Sequence, residues 1–379
     1  MFCSCKNHGF EKKPNTNVCP ICLGHPGSLP VINKSAIEHV LQTGKALNCK
    51  ISKHSKFDRK NYFYPDLPKG YQISQYDMPL CKNGYLIIQK HKIRITRIHL
   101  EEDTGKLIHP RGSDSSLIDF NRSGVPLMEL VTEPDIHSAK EAREFCRELQ
   151  LILRYLKISN ADMEKGEMRC EVNISIQDAG TGILPVHKLG TKVEIKNLNS
   201  FKAVENSINY EIKRQSELLN AGEKIVQETR GWDDSSKKTI SQRSKEQAHD
   251  YRYFPEPDLP PLQILDTKDQ ITDKELPNQR RKRFKKEYGL LEQNIEIFIR
   301  NPGLGNYFED IVSEMQNWVK SNARYETESD ILKLIKLTAN YILTEFIKLI
   351  RESGHELINC KTSKSCIIKN FKITPENFA

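Results

Sequence analysis

No stretch of the chain is apolar over membrane-spanning length, and the start Met1-Phe2-Cys3-Ser4-Cys5 is not that of an export signal. No Gly-x-x-x-x-Gly-Lys-Ser/Thr loop occurs, and no Gly-x-Gly-x-x-Gly follows a strand, so neither common nucleotide-binding fold is signalled. A Gly-x-Ser-x-Gly elbow is missing, and no Cys–His pairing stands out as a nucleophile site. Internal repeats and low-complexity tails are absent too. What remains for chemistry is carboxylates and cations.

At 379 residues the chain is too long for one small core, and two or more domains are expected. An apolar content of 37% with 28% charged residues suits a globular protein. A formal charge of +8 favours a polyanionic partner, but a merely basic surface explains it equally well. The ten cysteines, in a long chain without an export signal, read as reduced thiols. Four of them cluster as Cys3-x-Cys5 and Cys19-x-x-Cys22, two close pairs with the ligand arithmetic of a structural zinc site. The first pair has one intervening residue instead of two. Pro20 and Gly24 give the second pair a knuckle-like turn, which favours zinc over four unrelated thiols. Cys49, Cys81, Cys146, Cys170, Cys360 and Cys366 are scattered and read as core or bystander residues.

Hydrophobic periodicity places a helix over residues 36–47 and strands over 85–89 and 92–100. Ser138-x-x-Glu141 is a capping box opening an amphipathic helix. Residues 168–176 and 191–198 alternate polar and apolar. If these two strands pair, they make a sheet with one dry face and one face dense in Arg, Lys and Glu. A helix from Phe201 to about Leu219 ends near Gly222, and a hairpin spans 228–243. Pro255, Pro257, Pro260 and Pro261 mark a boundary, after which short helices follow. Leu276-Pro277 opens the first of these. The run Arg280-Arg-Lys-Arg-Phe-Lys-Lys286 reads as a solvated helix face, with phosphate contacts to nucleic acid as the alternative.

One stretch organises the rest: residues 118–135, which pack Asp119, Asn121, Arg122, Gly124, Pro126 and Glu129 into a few turns of chain. Gly124 permits backbone angles closed to other residues, and Pro126 fixes its own φ. The run Met128-Glu129-Leu130-Val131 sets one carboxylate in an apolar strand, where burial would demand a cation, a hydrogen-bond network or a metal. The competing reading is an exposed strand glutamate. Glu101, Glu102, Asp103 and Glu129, with Lys106, Arg122, Arg169, Lys192 and Lys196, suit Mg²⁺ shared with substrate phosphates.

The pattern Asp119-x-Asn121-Arg122-x-Gly124-x-Pro126-Leu127-x-Glu129 resembles the signature of the B subunit of aspartyl/glutamyl-tRNA amidotransferases. Four further blocks match that family in order: Phe57-Asp-Arg-Lys-Asn-Tyr-Phe-Tyr-Pro65, His99-Leu-Glu-Glu-Asp-Thr-Gly-Lys106, Lys192-Val-Glu-Ile-Lys-Asn-Leu-Asn-Ser200 and Asp250-Tyr-Arg-Tyr-Phe-Pro-Glu-Pro-Asp258. The resemblance implies an α+β catalytic domain over residues 1–262, with antiparallel sheets in a cradle-like arrangement, and a helical domain over 263–379. It implies phosphorylation by ATP of the side-chain carboxylate of Glu or Asp mischarged on tRNA. Ammonia from a partner amidase A subunit, with a small C subunit bracing the pair, then gives the amide. Glu102 and Glu129 are expected as Mg²⁺ ligands, with Lys192 and Lys196 completing the catalytic set. Arg122, Arg169 and Asn197 are expected around the nucleotide. A bacterial cytoplasm is the expected setting, with an organelle as the alternative. Relative to the family pattern the sequence is expected to begin after a strand carrying Gly-Leu-Glu-x-His and to end before a tRNA-engaging tail. A non-catalytic tRNA-binding scaffold is the alternative from another class. A stand-alone carboxylate–amine ligase is a third, weakened by the lack of an ammonia source.

Overall fold

A computed structural model of the chain describes residues 1–7, 13–110, 112–177, 189–244, 250–265, 274–321, 327–352 and 375–378. Cys360 and Cys366 lie outside the described residues. The chain forms two compact units. The first comprises 1–150 and 161–272, the second 151–160 and 273–379.

The first unit opens with helix α1 (Lys34–Ala46) and the short strands β1 (Lys50–Ile51), β2 (His54–Ser55), β3 (Asp58–Asn61) and β4 (Tyr71–Ser74). A long hairpin, β5 (Cys81–Ile88) and β6 (His91–Glu102), comes next. Small strands β7 (Lys106–Ile108) and β8 (Leu117–Asp119) lead to β9 (Pro126–Thr132) and α2 (Ala139–Leu156). Then come β10 (Cys170–Ile174), β11 (Val193–Leu198), α3 (Phe201–Asn220), β12 (Glu228–Asp233), β13 (Lys238–Ser244), β14 (Phe254–Pro255) and β15 (Leu262–Gln263).

Two four-stranded sheets carry the unit. One has the order β1-β5-β6-β9, antiparallel throughout. Gly44 lets α1 approach this sheet closely, since a Cβ there would meet the Cys81 sulfur at 2.4 Å. The other sheet has the order β10-β11-β12-β13. Here one ladder departs from the expected antiparallel pairing. β11 and β12 run parallel, because α3 carries the chain back across the sheet between them. The strands of 168–176 and 191–198 do pair, with Asn173 opposite Glu194 and Val172 opposite Ile195. Ala139 and Ala142 of α2 and Ala203, Val204 and Ile208 of α3 share one buried cluster with Ile195, Leu198 and Trp232. Glu171, Asn173 and Asn197, on the sheet's other side or at its end, are exposed.

Local sequence sets the helix ends. The Ser200 hydroxyl accepts from the Ala203 amide at 3.0 Å, and Gly222 takes φ +76° after the helix. The Ser138 hydroxyl accepts from the Glu141 amide, but the Glu141 carboxylate reaches the His137 amide, one residue beyond the usual capping-box partner.

The second unit is helical: α4 (Pro277–Tyr288), α5 (Glu292–Arg300), α6 (Pro302–Ser321), α7 (Glu328–Tyr341), a π-helical segment at Ile342–Phe346, α8 (Ile347–Glu352) and α9 (Pro375–Phe378). Its core is aromatic, with Phe298 stacked on Phe308 at 4.7 Å and Tyr307 on Phe346 at 5.1 Å. The basic run of α4 is ion-paired within this unit. Arg280 meets Glu309, Arg281 meets Glu296, Arg283 meets Glu275 and Glu309, and Lys285 meets Glu292. Phosphate contacts through these four side chains would have to displace carboxylates. Among the described residues no helix is long and apolar enough to cross a membrane.

Beneath β12 and β13 the wholly buried Glu211 of α3 accepts from Arg214 at 2.8 and 2.9 Å and from Gln215 at 3.0 Å, with Arg230 at 3.2 Å. Burial opposes its ionisation, but Arg214, Thr239 and Gln215 hold its carboxyl below the ordinary glutamate value. A depressed folded-state pKa adds stability above the unfolded value of about 4.3. That stability disappears as the pH falls through the lower folded value. Glu211→Gln should therefore cost about 3 kcal/mol at pH 7 by stranding two arginines. The gap from the parent in thermal melts should narrow below about pH 4. A pH-independent gap would show that the charge is not responsible.

Candidate functional site

The ladder between β6 and β9 sets the site. His99 lies opposite Glu129, Glu101 opposite Leu127 and Glu102 opposite Pro126. Directly opposed residues share a sheet face, and successive residues alternate. His99, Glu101 and Glu129 therefore project to one side, and Glu102 projects to the other. One nitrogen or oxygen from each of His99, Glu101 and Glu129 lies within 4.8 Å of the others. His99 and Glu101 are buried, and their Nε2 and Oε2 atoms are 3.6 Å apart. The buried Nδ1 of His99 has no hydrogen-bond partner. Burial works against ionisation of Glu101, yet His99, Lys60 and the Ser74 hydroxyl hold its carboxyl below the usual range.

The expected pair Glu102 and Glu129 is not brought together. The Glu102 carboxylate accepts from Lys69 Nζ at 2.6 Å and from the Ile73 amide at 2.8 Å, so its charge is matched inside the protein. Nor is Glu129 buried: its side chain is 44% exposed, and its nearest cation is Arg97 at 3.8 Å. The cost of burying a carboxylate thus falls on its neighbours instead.

Much of the polar content of residues 118–135 serves another purpose. Asp119 accepts from the Asn15 amide, Asn121 donates to the Lys13 carbonyl and accepts from the Asn17 amide, and Ser123 donates to the Cys22 carbonyl. These bonds pin the cysteine-bearing loop. Gly124 takes φ +76° while its amide bonds the Asp103 carbonyl at 2.8 Å. Arg122 donates to the carbonyls of Thr104 and Gly105 at 3.0 and 2.7 Å and lies 3.4 Å from the Asp103 carboxylate, which buttresses the turn after Glu102.

The four thiols meet. Sulfur–sulfur distances from Cys22 are 3.5 Å to Cys3, 3.6 Å to Cys19 and 3.8 Å to Cys5, and all four sulfurs lie within 4.8 Å. Tetrahedral zinc with bonds of about 2.3 Å needs sulfurs about 3.8 Å apart, so the set fits. Burial opposes ionisation of Cys19, but hydrogen bonds from Cys22 and Cys5 bring its pKa down to about 7.

On the second sheet, Lys196 Nζ is 3.3 Å from Glu171 and 3.9 Å from Glu194. Burial would lower its pKa, yet these carboxylates raise it above the ordinary lysine value. Arg169 pairs with Asp103 at 2.8 Å. Lys192 is exposed just ahead of β11, and Asn197 is exposed within it at φ +63°. Among these four expected residues, Lys196 and Arg169 are engaged by acids, and none is hydrogen-bonded to the His99–Glu101–Glu129 group. Lys60 is not among the residues expected from the sequence: its ammonium lies 4.8 Å from the centre of the Tyr251 ring. The Phe57–Pro65 block is the signal that could have pointed to it.

Residues 1–270 match the family model described as the GatB/GatE catalytic domain. The chain belongs to this family. It is 49% identical over 367 residues to a Thermodesulfovibrio yellowstonii protein, covering 95% of this chain and 72% of that relative. It is 46% identical over 386 residues to one from Caldicellulosiruptor bescii and 48% identical over 384 residues to one from Thermosipho melanesiensis. These two alignments cover 100% of this chain and 74% of each relative. Each of the three is named as the B subunit of an aspartyl/glutamyl-tRNA(Asn/Gln) amidotransferase. Within this GatB/GatE chain, Glu102 is an ion-pair partner of Lys69. Lys69→Met should then leave a buried carboxylate uncompensated and cost about 3 kcal/mol in urea denaturation. Undiminished stability would remove that assignment.

Proposed function

We propose that the chain activates a carboxylate on misacylated tRNA as the B subunit of a tRNA-dependent amidotransferase. ATP phosphorylates the side chain of Glu or Asp esterified to tRNA. Ammonia, released from glutamine by an amidase A subunit and delivered with a small C subunit in the assembly, then displaces phosphate to give Gln-tRNA or Asn-tRNA. The observation that carries this reading is the convergence of His99, Glu101 and Glu129, one ligand atom from each lying within 4.8 Å of the others. Two carboxylates and an imidazole suit a divalent cation. Mg²⁺ held there with ATP would offset charge on the transferring phosphoryl group.

The chain's own residues supply the remaining electrostatics. Lys60 and Arg97 bring positive charge beside the acids. Lys196 and Arg169 lie on or beside the polar face of the second sheet, and the Arg169–Asp103 pair ties that sheet to the strand end beyond Glu102. In this reading the two polar faces form the cradle, Lys192 and Asn197 sit at its rim, and Lys196 exchanges its carboxylate partners for a phosphate. The scaffold alternative draws no support from the paired basic run of α4.

Zinc on Cys3, Cys5, Cys19 and Cys22 would fix the N-terminal loop against the Asp119–Ser123 turn. Protein purified without chelator should carry about one zinc per chain, and Cys22→Ser should lose it. Less than about a tenth of an equivalent in the parent would reject the site.

The proposed chemistry is tested by ADP release in the presence of the A and C subunits, glutamine and mischarged tRNA. Glu129→Gln should lower the rate by about a hundredfold or more while thermal stability stays near the parent's, since Glu129 is half-exposed. Equal rates would remove Glu129 from the site.

A further inference from the structure

Four tyrosines from distant parts of the chain meet beside the acidic group. Tyr76 follows β4, and its amide donates to Asp58 at 3.2 Å. Tyr253 precedes β14, whose pairing with β3 brings Phe254 opposite Arg59. The Tyr76 and Tyr253 rings are stacked at 4.2 Å with planes 11° apart. Tyr251 holds Tyr253 edge-on at 6.1 Å and contacts Tyr62 at 5.8 Å. A stacked pair braced by a third ring is rigid and already oriented. Yet Tyr76 remains 61% exposed, so this ring contributes little to the core. The charge around the stack is asymmetric. Lys60 has no carboxylate partner among the described residues and lies against Tyr251 and Tyr62. Ser74, two residues before Tyr76, donates to the Glu101 carboxylate at 3.0 Å, which sets the end of β4 against the acidic group.

We propose that Tyr76 and Tyr253 form a stacking platform for an adenine base whose phosphate-bearing end is directed toward Lys60 and the His99–Glu101–Glu129 group. An aromatic surface with a cation and a cation-seeking acidic group at one end complements a ligand that is flat at one end and anionic at the other. Base stacking of this kind tolerates any base but needs an aromatic ring in place. The proposal rests on the phosphoryl-transfer reading for its choice of ligand. Adenine reaches such a site either as part of ATP or as the terminal base of tRNA.

Two fluorescent probes separate these sources: 2-aminopurine riboside triphosphate with Mg²⁺, and an RNA hairpin ending in 3′-terminal 2-aminopurine. Stacking quenches this base. The full chain, alone and with the A and C subunits, should quench one probe. Tyr76→Ala should weaken its binding about tenfold, whereas Tyr76→Phe should bind like the parent. Quenching of the triphosphate assigns the platform to the nucleotide, and quenching of the hairpin assigns it to the tRNA end. Binding requires no turnover, so quenching that persists in Glu129→Gln while ADP release is lost separates the platform from the chemistry. Quenching of neither probe, or equal quenching by parent and Tyr76→Ala, overturns the proposal.

Discussion

Hydrogen bonding between β6 and β9 sets Glu129 opposite His99, and the pleat then decides which acids share a face. A slip of one residue would put Glu102, in place of Glu101, on the face that carries Glu129. The native register instead gives the two neighbouring glutamates opposite fates. Glu101 joins an imidazole and a second carboxylate in a group with one nitrogen left unsatisfied. Glu102 is consumed by an ammonium and a backbone amide. Adjacent residues of one type thus face different partners, Glu101 in the converging group and Glu102 in an internal ion pair.

The turn at Asp119–Ser123 holds this arrangement from behind. Its side chains bond the backbone of the cysteine loop, while Gly124 and Val125 exchange backbone bonds with Asp103 just beyond β6. A loop closed by four thiols and anchored at Cys22 therefore bears on the same strand ends that present the acids. Order in the cysteine loop and order at the acidic group are linked through a few hydrogen bonds, each modest alone and costly to leave unmade in a buried setting.

Charge compensation recurs through the molecule. Glu211 is enclosed by two arginines, Arg59 pairs with Glu256, and the basic stretch of α4 is met by glutamates of its own unit. Against this background Lys60 is distinctive, because its neighbours among the described residues are aromatic rings and not paired acids. In the proposed reading this cation, beside converging carboxylates, is where the anionic end of the ligand is received, a more local signal than the net charge of +8.

Local sequence determined most of the elements. Apolar periodicity, Ser200 and Gly222 delimit α3, alternation defines both faces of β10 and β11, and the spacing of Cys3, Cys5, Cys19 and Cys22 announced a cluster that the fold assembles. These features depend on neighbours within a few residues, so they are legible in the chain itself. The ordered blocks likewise carried the family. Which carboxylates converge, which lysine lies among rings, that β11 and β12 run parallel, and that Tyr76 meets Tyr253 were decided by tertiary structure alone. Each depends on strand register or on contacts between segments far apart in the chain. Side-chain type and spacing carry no record of a register, and a shift of one residue reverses every face.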